Sequence, residues 1–125
     1  MKSIRVAFFD CYSGISGDMI LGALIDLGVD PKKIRSALKT LNLKGYKLKT
    51  RQVKRGLIAG TKVQVSIEKS HHTHLPSRKY SDIKKMIADS DLSATVKKNS
   101  LEIFKRIAKV EAAIHKTTME KIHFH

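Results

Sequence analysis

The sequence predicts an α+β fold, a two-layer α/β sandwich with a small mixed sheet and helices packed on one side. Three observations carry that expectation. Apolar residues recur every three or four positions over four segments, the helical period, and alternate with polar ones over others, the strand period. The periods follow one another in the order strand, helix, helix, strand, strand, helix, helix, strand. At 125 residues and 42% hydrophobic composition the chain has enough apolar side chains for one core. It shows neither an internal repeat nor a linker, so a single domain over residues 1–125 is expected.

Ile4–Phe9 (IRVAFF) is short, apolar and rich in strand formers, and reads as a buried first strand. The loop Asp10–Gly17 follows. Asp18 opens a helix, MILGALIDLG, in which Leu21, Leu24 and Ile25 form the stripe and Gly28 the stop. Asp30 and Pro31 suit the N-cap and first turn of a second helix, with Ile34, Leu38 and Leu41 facing inward. Tyr46, Leu48 and Thr50 then alternate with Lys47, Lys49 and Arg51. Beyond a turn around Gly56, Val63, Val65 and Ile67 alternate with Lys62, Gln64, Ser66 and Glu68, which predicts a hairpin with one apolar and one charged face. Lys69–Lys79 has no apolar period and reads as a loop. Ser81 caps a short helix to about Ala88, and Ser93 caps a long one. The stripe of the long helix is Val96, Ser100, Ile103, Ile107, Val110 and Ile114, with Phe104 and Ala108 beside it, and it is expected to be a main source of core. Lys121–His125 (KIHFH) alternates like the start of another strand. Because the chain stops inside that alternation, 125 residues are expected to be less than the whole natural protein.

Charge bounds the partners. A formal net charge of +14 attracts anions, whether nucleic acid or a phosphorylated small molecule. The sequence shows no helix-turn-helix glycine turn, no aromatic RNA-binding signature and no zinc-finger spacing, so nucleic acid is the less favoured partner. No apolar run is long enough to cross a bilayer, and Val6–Phe9 is too short for a signal-peptide core. Cys11 is the one cysteine and has no intrachain disulfide partner. A cytoplasmic location without a membrane partner is the expectation.

The segment Asp10–Asp18 (DCYSGISGD) is the first candidate site. A loop that leads from a strand into a helix leaves backbone amides unpaired, and their positive end favours anions. Gly14 and Gly17, with the hydroxyls of Ser13 and Ser16, fit a phosphate or carboxylate cradle. The spacing matches neither the nucleotide P-loop nor the dinucleotide fingerprint. Asp18 reads most simply as a cap or dipole partner. Asp10 closes the expected strand, where α/β proteins place ligand contacts. Together the two carboxylates offer oxygen ligands to a hard cation such as magnesium or manganese. Cys11 reads as a small buried filler.

Histidines form the second. His71, His72 and His74 sit in the polar loop and His123 and His125 at the end of the chain, so five of the six fall in two short clusters. Imidazole is a borderline ligand suited to nickel, zinc and copper. In an extended segment residues two apart share a side, so His123 and His125 are placed to reach one ion. His115, alone at a helix end, reads as a dipole complement. No paired-cysteine spacing for structural zinc is present.

DCYSGISGDMILGALIDLG, VKRGLIAGTKV, HHTH and KIHFH, in that order, resemble the N-terminal region of the LarC family, the nickel-insertion proteins of nickel-pincer cofactor biosynthesis. The resemblance implies a CTP-dependent enzyme of the lyase class, a cyclometallase. Such an enzyme inserts nickel into pyridinium-3,5-bisthiocarboxylic acid mononucleotide with a divalent cation, manganese or magnesium, forming nickel–carbon and nickel–sulfur bonds. By position, His71, His72 and His74 match the family's histidine-rich loop, and His123 and His125 the first part of its FHE-type motif. Asp10, Ser13, Gly14, Ser16, Gly17 and Asp18 match its opening motif, which makes the two aspartates the catalytic candidates. The family's Glu-Val-Gly-type continuation and its C-terminal CTP-binding region are missing, so the chain alone is expected to be inactive. Two other readings share the residues: a nickel metallochaperone or store without chemistry, and a basic nucleic-acid-binding module. The C-terminal region of the same protein and a second copy of the chain are the expected macromolecular partners.

Overall fold

The computed structural model describes residues 3, 4, 6–12, 14–67 and 77–124. In chain order these form helices α1 (Gly17–Asp26) and α2 (Pro31–Lys39), and strands β1 (Tyr46–Arg55), β2 (Ile58–Ile67) and β3 (Arg78–Lys79). Helices α3 (Tyr80–Asp89) and α4 (Ala94–Ile114), a 3-10 turn at Met119–Lys121 and strand β4 (His123–Phe124) follow. The class is α+β, as the sequence predicts. Among the described residues the strands divide between two sheets of two strands, β1 with β2 and β3 with β4. The chain forms two compact units, one of Met1–Val29 with Leu48–Val65 and one of Asp30–Lys47 with Ser66–His125.

In the first unit α1 layers on the hairpin. The two strands turn at Gly56 and Leu57, with positive φ at Gly56, as a two-residue hairpin turn requires. Helix α1 approaches β2 at Gly22, where a Cβ would stand 2.3 Å from the Thr61 carbonyl oxygen. Only glycine admits that approach. Val63 is 1% exposed and anchors the inner face, whereas Val65 and Ile67, expected beside it, are more than half exposed.

The expected first strand is a correction. Residues 4 and 6–10 have no strand assignment, and Ile4, Val6 and Phe8 are over four-fifths exposed. Strand propensity alone does not make a strand: the backbone groups need a partner edge. Among the described residues none pairs with this segment. Asp10 therefore does not close a buried strand, and Cys11, expected buried, is exposed.

In the second unit Asp30 caps α2 as expected, its carboxylate accepting the Lys32 N–H at 2.8 Å, with Pro31 in the first turn. Ile34, Leu38 and Leu41 are half-buried. Helix α3 starts before the expected Ser81 cap: the Asp82 carboxylate reaches back to accept the Lys79 N–H at 3.1 Å. Ser93 caps α4 by accepting the Val96 N–H at 3.4 Å. The core consists of Ile83 and Ile87 from α3, Ala108 and Ala112 from α4, and Ile122. The strand expected at the end forms as β4. Arg78 lies opposite Phe124 and Lys79 opposite His123, and the Phe104 and Phe124 rings meet edge-on at 5.8 Å.

The long helix carries the second correction. Val96, Ile103, Ile107, Val110 and Ile114, expected as core, are all exposed. The exposed row lies on one side of the helix, and α3 packs against the other, which bears Ala108 and Ala112. Period locates an apolar face, but a neighbouring element decides whether it is buried.

Candidate functional site

The opening motif leads into α1. A turn precedes it, in which the Gly14 N–H donates to the Cys11 carbonyl at 2.8 Å and Gly14 takes φ +83°. Ser16 is the N-cap by position, yet its hydroxyl makes no capping bond to the backbone and donates instead to the Asp18 carboxylate. That bond, with help from the backbone N–H groups of Asp18 and Met19 and the charge of Lys62, holds Asp18 below the ordinary carboxylate range. Asp18 thus places its own negative charge at the helix start. The expectation of a cap or dipole partner is met, and any anion arriving there meets a carboxylate first.

Asp18 opens onto a cleft of about 460 Å³ within the first unit, which Ser16, Asp26, Arg55, Thr61 and Lys62 also line. Asp26, one helical face further along α1, accepts the Thr61 N–H at 2.8 Å and the Thr61 hydroxyl at 2.5 Å. Gln52 donates to the same hydroxyl at 2.8 Å. The two bonds from Thr61, the hydroxyl first, hold Asp26 below the ordinary carboxylate range. The cleft therefore presents two carboxylates, both held below their ordinary range, and two basic side chains, Arg55 and Lys62. A ligand carrying charges of both signs finds complementary groups there.

Of the residues predicted from sequence, Ser16 and Asp18 line this cleft; Asp10, Gly14 and Gly17 do not. Ser13, His71, His72, His74 and His125 lie outside the described residues. His123 is exposed on β4, paired across to Lys79 on β3. His115 takes the C-cap of α4, the expected place for a dipole complement, 3.4 Å from Glu111. Among the described residues no group of three or more His, Cys, Asp and Glu side chains is placed to hold a metal ion. Among the described residues no helix is long and apolar enough to cross a membrane.

Sequence reasoning missed Asp26, Arg55, Thr61 and Lys62. Two signals pointed to the first contact. An aspartate in the last turn of a helix opposes the dipole and needs another partner, and a glycine inside a helix marks a close approach.

The family model described as Nickel insertion protein matches residues 7–125. The chain belongs to that family. A pyridinium-3,5-bisthiocarboxylic acid mononucleotide nickel insertion protein of Geobacillus kaustophilus is 47% identical over 128 residues, covering 98% of this chain and 31% of the relative. A protein of the same name from Desulfitobacterium hafniense is 46% identical over 123 residues, covering 98% of this chain and 29% of the relative. This member of the nickel insertion family thus spans about a third of the length of the relatives it matches. No solved structure matches it significantly.

Proposed function

We propose that this chain is the nickel-handling, N-terminal portion of an enzyme that inserts nickel into pyridinium-3,5-bisthiocarboxylic acid mononucleotide. The observation that carries the reading is the family match over residues 7–125, with relatives named for that reaction. The cleft supports it by its chemistry. The substrate joins a cationic ring to a phosphate; Asp18 and Asp26 suit the ring, and Arg55 and Lys62 suit the phosphate. Ser13, Gly14, Ser16 and Gly17 would close on the substrate from the loop. A carboxylate held below its usual range is a weak base. Asp18 accordingly acts by charge with Asp26 in the cleft, and Asp10, the other catalytic candidate, acts from outside it.

Nickel is the cargo. In this reading His71, His72 and His74 collect it and His123 and His125 share it. The pairing of β3 with β4 supports that arrangement, because β3 begins four residues beyond His74 and its neighbour carries His123. The substrate's thiocarboxylate sulfurs, softer than imidazole, then take the ion. CTP and its manganese or magnesium are assigned to the length of the relatives that lies outside this chain, which would be the partner region for catalysis, in the cytoplasm.

The test is calorimetric titration of the 125-residue chain with nickel, with zinc and manganese as controls. Replacing His71, His72 and His74 with alanine is expected to remove most of the nickel heat, and His123→Ala to weaken it by roughly tenfold. Unchanged stoichiometry and affinity in the triple variant would overturn the histidine assignment. Asp18→Asn in a full-length version tests the cleft: insertion lost with nickel binding intact supports the enzyme reading, and insertion intact overturns the role given to Asp18.

A further inference from the structure

Helix α4 leaves uncovered the apolar row along which the sequence predicts burial. Val96, Ile103, Ile107, Val110 and Ile114 are 42% to 67% exposed, while Ala108 and Ala112 on the opposite side of the helix are buried. Proteins that act alone seldom expose a long contiguous apolar row. With Ser100 included, the row advances by alternating steps of four and three residues, the heptad seam of a coiled coil. Val96, Ile103 and Val110 hold one seam position, and Ser100, Ile107 and Ile114 hold the other.

The spacing of the row reads the same from both ends. Reversed about Lys105, it lays Ile103 on Ile107 of a second copy, Val96 on Ile114 and Ser100 on Val110. Each layer then holds at least one β-branched apolar side chain, and no layer sets serine on serine. A parallel pair would stack Ser100 on Ser100 and place β-branched residues at both seam positions, which disfavours two parallel strands. The antiparallel pair also opposes the two helix dipoles favourably. Charge fits the same arrangement. Lys97 falls beside Glu111 of the second copy; its ammonium donates to the Ala88 carbonyl at 2.7 Å and keeps further N–H groups. Arg106, near the axis, is neutralised by Glu102 at 3.1 Å. At 100° per residue, Lys98, Lys105 and Lys109 lie on the far side of the helix from the row. We propose that α4 packs antiparallel against α4 of a second copy, and that this row is the dimer seam of the chain.

Sedimentation equilibrium of the whole chain at physiological salt is expected to show a dimer. Ile107→Glu should weaken self-association on the order of 100-fold, since it places a charge in the central layer. Helix content by circular dichroism should stay unchanged, because Ile107 lies off the face that bears Ala108 and Ala112. Val110→Glu gives the same reading should the first variant fail to fold. Lys97→Glu should weaken the dimer, and adding Glu111→Lys should restore it. In a Cys11→Ser background, a mixture of Ile103→Cys and Ile107→Cys chains should form the mixed disulfide in preference to either self-pair. A wild-type chain that stays monomeric, a dimer untouched by Ile107→Glu and Val110→Glu, or ready self-crosslinking of Val96→Cys would each overturn the proposal.

Discussion

Gly22 and Asp26 show how single residues join α1 to the hairpin. Alanine is the better helix former by about 1 kcal/mol. At Gly22, however, its Cβ would meet a backbone oxygen that no rotamer can move. Gly22→Ala is therefore expected to destabilise the chain by about 1–3 kcal/mol in urea unfolding, the cost of overpacking. A raised midpoint would mean that the helix and strand stand further apart. Asp26 and Asp18 fix the sign of the acid response. Both are held below the ordinary aspartate value of 3.8, by Thr61 and by Ser16 respectively. The folded state thus binds protons less readily than the unfolded one. The stabilisation is fully present above that value and is lost as pH falls through the lowered one. Wild type should lose more stability between about pH 5 and pH 3 than Asp26→Asn does, measured by urea midpoints; parallel curves would remove the Thr61 bonds from the account. Asp18 was legible in the sequence as a helix-start carboxylate. Its cleft neighbours were not, because Arg55, Thr61 and Lys62 are more than thirty residues away along the chain.

At the scale of elements, caps and turns emerged from the sequence nearly unchanged. Asp30, Pro31, Ser93 and Gly28 act within a few residues of themselves, so the local chain carries the whole cause. The α3 start lies ahead of Ser81, where the Asp82 carboxylate at the third helical position accepts the Lys79 N–H. Apolar periods were a weaker guide to burial. Ile87 in α3 is 4% exposed and Ile58 in β2 is 78% exposed, although both belong to regular elements. Ile87→Ala is expected to cost about 2–5 kcal/mol and Ile58→Ala less than about 0.5 kcal/mol by urea denaturation. Equal costs would show that exposure does not rank these sites. The segment at residues 4 and 6–9 shows the same limit in a strand: the right residues are there, but no edge among the described residues receives them.

For the whole molecule, the charge of +14 sets behaviour toward anions. Binding to duplex or single-stranded nucleic acid is expected to be weak and to fall by roughly 10³-fold or more between 50 and 200 mM salt, as for any lysine-rich surface. Tight, sequence-selective binding at the higher salt would replace the small-molecule reading with a nucleic-acid one. Family membership, the α+β class, the helix caps and the hairpin were determined by the sequence alone. Each rests on neighbours along the chain or on motif order, both of which are written in one dimension. Only the tertiary structure decided that Asp18 shares a cleft with Asp26, Arg55 and Lys62, and that the apolar row of α4 stays open. Those are facts about which distant elements meet, and burial and charge pairing depend on what stands opposite rather than on what stands next in line.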